Sequence, residues 1–293
     1  MSLKVIKKKN ILLLGTTGRL GRNIKKQFKE NKNFKLITTG RGKENNVDIV
    51  CNPTKRNHLK DVILKTKPFA IINCIAITNV EECEINKDLA FSINCNFPKM
   101  ITEIINEIGI DCKLIHISTD QIYKSGNWSV VGEEMPLNIY ARSKLEGDKE
   151  VLKFRKSLIL RTNFLWNDSQ DSPVDWLISK SISKEDFFLF NDVIVNPVHV
   201  RFLAYTILKL TTMNVFGIYN IGSKSSLSKA NIYIKIAKKL NIDITRAKVV
   251  SIKNMNFKAK RPKVMTMSVS HIERDTKILM PSIKNTLDYL IKK

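Results

Sequence analysis

The chain has 293 residues, 43% of them hydrophobic, so it can bury a sizeable core and is not a small disulfide-stapled module. Five cysteines without a C-x-x-C pair and four scattered histidines without metal-ligand spacing predict free thiols, a reducing cytoplasmic setting and no bound metal. Fifty Lys and Arg against 27 Asp and Glu give a formal charge of +23, yet the excess runs along the whole chain and no nucleic-acid module accompanies it; the expectation is a basic surface that favours phosphate-bearing small molecules, with no nucleic acid as partner.

The first apolar run, in NILLLG, is too short for a signal-peptide core, and no later segment approaches the ~18 consecutive apolar residues of a membrane span. It predicts a buried strand, followed by a helix over LGRNIKKQFKE. Between them Gly15, Gly18 and Gly21 recur at three-residue spacing. A strand-to-helix turn of that kind lets backbone and a helix N-terminus approach a pyrophosphate. It predicts a dinucleotide site contacted by Gly15, Thr17, Gly18, Arg19, Leu20 and Gly21.

The next strand, FKLITTG, runs into Arg41, Gly42 and Lys43. An acidic residue there would suit the ribose 2′-hydroxyl of NAD, whereas a basic one suits a 2′-phosphate. Arg41, helped by Lys43, Arg19 or Arg22, therefore favours NADPH, with NADH possible. Asp48, Asn52 and Asn94 are further candidate cofactor contacts. INCIA closes another strand with small residues, laying Cys74, Ile75 and Ala76 along the cofactor.

FAIINCIA, KLIHIST and SLILRTNFL continue an alternation of nearly continuous apolar strands with helical stretches. That rhythm predicts a doubly wound parallel α/β sheet of the Rossmann type, covered on both faces. The NAD(P)-binding part is expected over 1–165, rejoined by about 193–222. A smaller, C-terminal substrate-binding portion is expected over 166–192 and 223–293.

HISTDQIY puts Ser118, Thr119 and Asp120 at the carboxyl end of a strand, where ligands of open α/β folds bind. Tyr140 and Lys144, in PLNIYARSKLEG, are four residues apart on one helix face. For Tyr140 to exchange a proton near neutral pH its pKa of ~10 must fall by about three units, or about 4 kcal/mol. An ammonium ~4 Å away at an effective dielectric of ~20 supplies an attraction of that order. Thr119 would hold a substrate carbonyl while Tyr140 protonates it. Thr119, Tyr140 and Lys144 are thus the candidate catalytic residues.

These pieces, with IINCIAITNVEECE, LRTNFLW, NDVIVNP and GIYNIG, resemble the extended short-chain dehydrogenases/reductases, and within them the dTDP-4-dehydrorhamnose reductase family, over about residues 10 to 222. The resemblance implies a Thr/Tyr/Lys active site at Thr119, Tyr140 and Lys144. It implies NADPH-dependent reduction of the keto group of a nucleotide-linked 6-deoxy-4-ketohexose, by a monomer or homodimer without a membrane partner. Thr78, Asp120, Phe164 and Arg261 would face the nucleotide sugar. Three segments depart from the family pattern: Phe164 stands where Trp is usual, with Trp166 two residues on; DVIVNPV lacks a Gln and a Gly; and KVMTMS after Arg261 and Pro262 lacks a Ser and an Asp. All three lie in the expected substrate half, so the resemblance supports the reaction type more than the sugar. Two alternatives stay open. One is a dehydratase or epimerase of the superfamily, although Gln121 follows Asp120 where dehydratases carry a second acid. The other is a non-catalytic NADP-binding subunit like the one that partners methionine adenosyltransferase.

Overall fold

A computed structural model describes residues 8–29, 31–42, 46–165, 172–183 and 185–291; Lys43 and Trp166 lie outside the described residues. Within them, seven strands form the principal sheet: β1 (Lys9–Leu14), β2 (Phe34–Gly40), β3 (Ile49–Val50), β4 (Ala70–Asn73), β5 (Lys113–Thr119), β6 (Ser157–Thr162) and β7 (Gly217–Ile221). Their order across the sheet is β7-β6-β5-β4-β1-β2-β3 and all pairings are parallel. The chain winds outward from β1 through β2 and β3, then crosses back to β4 on the other side of β1. That reversal opens a crevice at the carboxyl ends of β1 and β4, the ligand position of such sheets. The doubly wound α/β fold expected from the strand rhythm is the fold observed.

Strand β1 shows why the apolar runs are continuous. Ile11 and Leu13 point into a core shared with Leu20 and Ile24 of α1 (Arg19–Lys29), while Leu12 and Leu14 point into a second core on the opposite face. That second core is completed by Leu59 and Ile63 of α2 (Arg56–Thr66) and Ile101 and Ile105 of α3 (Phe97–Ile108). Because successive side chains alternate across a strand, both faces are apolar only if every position is. Ile11, Leu12, Leu13 and Leu14 are all fully buried, each contributing about 1.5–3 kcal/mol.

Helix α4 (Ile139–Leu152), which carries Tyr140 and Lys144, is fixed at two points. The Asn138 side chain caps it, accepting from the Ala141 N–H at 2.8 Å. Further along, Gly147 packs against the Asn94 carbonyl so closely that a Cβ there would sit 2.1 Å from its oxygen. Asn94 belongs to a wider, π-type turn, Ser92–Asn96, that precedes α3.

Helix α5 (Val200–Leu210) covers the β1 face beside α1. A second sheet of four short strands, ordered Leu227–Ser228, Ile194–Val195, Val264–Met267 and Gly126–Ser129, lies beyond the crevice with α6 (Lys229–Leu240). It has its own core, including Leu177, Leu189, Val195, Ile236, Met265 and Leu287. Residues 126–129 and 194–195 join this smaller sheet although they belong to stretches of sequence that otherwise serve the large one. No described helix is long and apolar enough to cross a membrane, and all five cysteines are free thiols.

Candidate active site

The β1–α1 turn uses two of its glycines differently. A Cβ on Gly21 would lie 2.1 Å from the Gly15 carbonyl oxygen, so the helix can approach the turn only with glycine there. Gly18 has no such constraint: the nearest atom to a Cβ at that position would be the Gly15 oxygen, at 3.5 Å. Yet Gly18 faces the crevice together with Arg19, Leu20 and Gly21. A site that is open within the protein but free of side chain is the cradle a dinucleotide pyrophosphate needs at a helix N-terminus.

The crevice is a cavity of about 530 Å³. Cys74 and Ala76 continue its lining from the end of β4, and Thr78 follows. Thr119 and Asp120 from the end of β5, Tyr140 and Lys144 from α4, and Phe164 beyond β6 line its deeper part. Residues from four separate strand ends and a helix therefore open onto one space.

The remaining expected residues stand elsewhere. Gly15 lies beneath the turn, its carbonyl accepting from Gly18 N–H at 3.2 Å, and the Thr17 carbonyl accepts from Arg22. Ile75 donates its N–H to Asn73 Oδ1 at 3.0 Å. Arg41 is exposed beyond β2. Asp48 Oδ2 accepts from the Thr38 N–H at 2.8 Å and hydroxyl at 2.6 Å, which ties β2 to the loop after it. Asn52 accepts from Thr54 in a local turn. Asn94 is held by protein groups: its Oδ1 accepts from Ile77 N–H at 2.9 Å, and its Nδ2 donates to the Ile77 carbonyl at 3.0 Å and to Ser143 Oγ at 3.1 Å. A buried amide must satisfy both of its ends, and here both hold the β4 loop to α4. Arg261 is likewise turned to protein, donating to Glu81 Oε1 at 2.9 Å with its guanidinium 4.3 Å over the Phe257 ring.

The electrostatics also differ from expectation. Burial pushes the Tyr140 phenol up, not down, against the opposing hydrogen bond of Thr119. The Lys144 ammonium donates to the Ile117 carbonyl at 2.7 Å, and its Nζ lies 3.2 Å from His116 Nε2. Burial pushes Lys144 down to about 8, with Asp148 opposing. A pair energy taken from charge separation alone omits desolvation, which both groups incur in the same low-dielectric space. Asp120 is pushed up to about 6 by burial, although its carboxylate accepts from Asn163 Nδ2 at 2.7 Å and Thr119 Oγ1 at 3.1 Å.

Beneath the trio lies a polar floor that sequence reasoning missed. Asp148 Oδ2 accepts from Arg161 Nε at 3.1 Å and Ser118 Oγ at 2.9 Å. Arg161 also donates to the Tyr123 hydroxyl at 3.0 Å and pairs with Glu134, and Tyr123 donates to Asn220 Oδ1 at 2.7 Å. A signal existed for part of it: Asp148 is four residues after Lys144, on the same helix face as Tyr140. Lys229, at the start of α6, and Tyr233 line the opposite side, and nothing distinguished them in a lysine-rich sequence.

A Rossmann sheet whose glycine turn, Ser-Thr strand end and Tyr-Lys helix meet at one crevice defines the extended short-chain dehydrogenases/reductases, which are NAD(P)-dependent oxidoreductases. Within that class the chain belongs to the RmlD substrate binding domain family, whose model matches residues 9–293. It is 26% identical over 226 residues to the probable low-salt glycan biosynthesis reductase Agl14 of Haloferax volcanii, covering 74% of this chain and 75% of that one. It is 24% identical over 279 residues to dTDP-4-dehydrorhamnose reductase of Aggregatibacter actinomycetemcomitans, covering 90% and 92%. The fold matches dTDP-4-dehydrorhamnose reductase of Bacillus anthracis, solved in complex with NADP, with a TM-score of 0.87, 24% identity and 97% and 99% of the two chains covered.

Proposed function

We propose that this protein reduces the 4-keto group of a nucleotide-activated deoxysugar with NADPH, as in the dTDP-4-dehydrorhamnose reductase reaction. One observation carries the reading: Thr119, Tyr140 and Lys144 line the same crevice as the side-chain-free turn at Gly18. Gly18, Arg19, Leu20, Cys74 and Ala76 would hold the dinucleotide, with exposed Arg41 toward a 2′-phosphate. When bound, that cofactor supplies a hydride for the keto carbon.

The chain's own contribution is position and protons. Thr119 Oγ1 would turn its hydrogen from Asp120 Oδ1 to the carbonyl oxygen, and Tyr140 would pass its phenolic proton to that oxygen as negative charge develops on it. Lys144 is buried where it can return a proton to the resulting phenolate. With burial raising its pKa, Tyr140 stays protonated at rest, which suits a donor in the reducing direction. The residues of 166–192 and 223–293 are assigned to the sugar nucleotide, because Lys229, Tyr233 and Met265 form the side of the crevice opposite the sheet. Asp120 would reach sugar hydroxyls beside the reacting carbon. Gln121, which also lines the crevice, cannot act as the second acid of an elimination.

Loss of NADPH absorbance should require both the protein and dTDP-4-dehydrorhamnose, and should nearly vanish in Tyr140→Phe. Full activity in that variant would refute the assignment. Turnover of a different keto-sugar alone would correct the substrate while leaving the chemistry in place.

A further inference from the structure

His116 lies on β5 directly opposite Asn73 of β4, fully enclosed by the sheet. Its two ring nitrogens have different neighbours. Nδ1 is 3.1 Å from Asn73 Nδ2; Nε2 is 3.2 Å from Lys144 Nζ and 3.9 Å from Asp148 Oδ1. The Asn73 amide has one orientation available, because its Oδ1 accepts the Ile75 N–H at 3.0 Å. Its nitrogen therefore donates to His116 Nδ1. A neutral imidazole that accepts at Nδ1 carries its hydrogen on Nε2. Burial, reinforced by the Lys144 charge, holds His116 well below the usual histidine range, so the ring is neutral.

That tautomer poses a conflict. Nε2–H faces Lys144, and a charged ammonium offers only donors. Across from it, Asp148 Oδ1 is buried and has no hydrogen-bond partner, although Asp148 Oδ2 is fully engaged by Arg161 and Ser118. A buried acceptor without a donor is rare and costly. Each oddity is what the other needs, at different moments.

We propose that His116 is a positioning residue whose Nε2–H alternates between the lone pair of neutral Lys144 and Asp148 Oδ1 of the ionised site, so that Lys144 can change charge inside the protein during turnover. The proposal rests on the reading of Tyr140 and Lys144 as the proton-transfer pair. After Tyr140 has given its proton to the carbonyl oxygen, Lys144 returns one to the phenolate and becomes neutral, and the His116 N–H donates to it. When Lys144 regains a proton from solvent, the N–H turns to Asp148 Oδ1. No proton leaves His116 at either stage. The charged or titratable groups facing the pair are Tyr140 and Asp148 from α4, Arg161 from β6 behind Asp148, and Cys74 at the end of β4, whose thiol burial pushes up to about 12 and so keeps neutral.

Two measurements on the full chain test this. The 15N resonances of the His116 imidazole should show a hydrogen on Nε2 and none on Nδ1 at neutral pH; the opposite tautomer, or a charged ring, overturns the proposal. In His116→Leu the hydrogen bond that favours neutral Lys144 is gone, so the pH limb of kcat set by Lys144 should move up by about one unit. With NADPH and dTDP-4-dehydrorhamnose as probes, kcat should fall about tenfold while KM changes little. His116→Gln, which can still offer an amide N–H to Lys144, should restore the parent profile. A structural role alone would lower thermal stability without moving that limb, and an unmoved limb in a folded His116→Leu refutes the switch. Undiminished activity of Tyr140→Phe would instead remove the underlying reading of the site, whereas the imidazole signals report the hydrogen-bond arrangement whatever the substrate.

Discussion

The turn between β1 and α1 lines the crevice and the polar floor lies behind it, reaching it through Lys144, and the two are built by opposite means. The turn works with backbone and the absence of side chains, all within residues 15–21. The floor works with buried charge and the groups that bond it: neutral His116 from β5, Lys144 and Asp148 from α4, Arg161 from β6 and Glu134 from the segment between β5 and α4. A short-range device tolerates few substitutions but needs no partner. A long-range one depends on every partner, because a buried charge that loses its counterpart is left in low dielectric.

The largest effect that would sharpen this contrast is loss of Tyr140. Tyr140→Phe removes the proton donor without adding volume, and kcat should drop by about 10³-fold with little change in thermal stability. Arg161→Met should act the other way, costing about 3–5 kcal/mol because Asp148 is left as an uncompensated buried carboxylate. Chemical denaturation would register it. A loss below about 1 kcal/mol would mean that the floor is no charge network at all.

The next effect concerns Asp120. Its folded-state pKa of about 6 is above the ordinary 3.8, so the folded chain binds more proton than the unfolded chain between those values. Stability therefore falls as pH rises through that window, by about 3 kcal/mol for a shift of about two units. In Asp120→Asn that fall should disappear, so the variant gains on the parent between about pH 4 and 7. Equal pH dependence of the two proteins would show that Asp120 does not carry the cost.

Within the turn, Gly21→Ala should destabilise by about 1–3 kcal/mol, since its Cβ would meet the Gly15 carbonyl at 2.1 Å. Gly18→Ala should leave stability within about 0.5 kcal/mol and weaken NADPH binding instead. Equal behaviour of the two variants in thermal melts would break the distinction drawn between them. The smallest effect is at the exposed Arg41: Arg41→Ala should raise the Kd for NADPH about tenfold, worth about 1.4 kcal/mol, while leaving NADH unchanged.

Much of this protein is legible without its fold, wherever the physics is local. Continuous apolar runs such as Ile11–Leu14 announce strands buried on both faces, because alternation leaves no other reason for an unbroken run. Gly15, Gly18 and Gly21 mark a turn whose shape depends on backbone alone, and the spacing of Tyr140 and Lys144 depends only on the helix period. Asn94 shows where this stops: its polarity and position are visible in the chain, but its partners Ile77 and Ser143 come from other elements.

What the tertiary structure decided is the chemistry around those marks. Only the strand order β1-β4-β5-β6 brings Asn73 beside His116, and His116 within reach of Lys144 and Asp148. The same burial that gathers Tyr140, Lys144 and Asp120 at the crevice raises, lowers and raises their respective pKa values. Residue types and spacing specify which groups are available, whereas desolvation and partner geometry, which exist only once distant strands pair, set the charge each group carries.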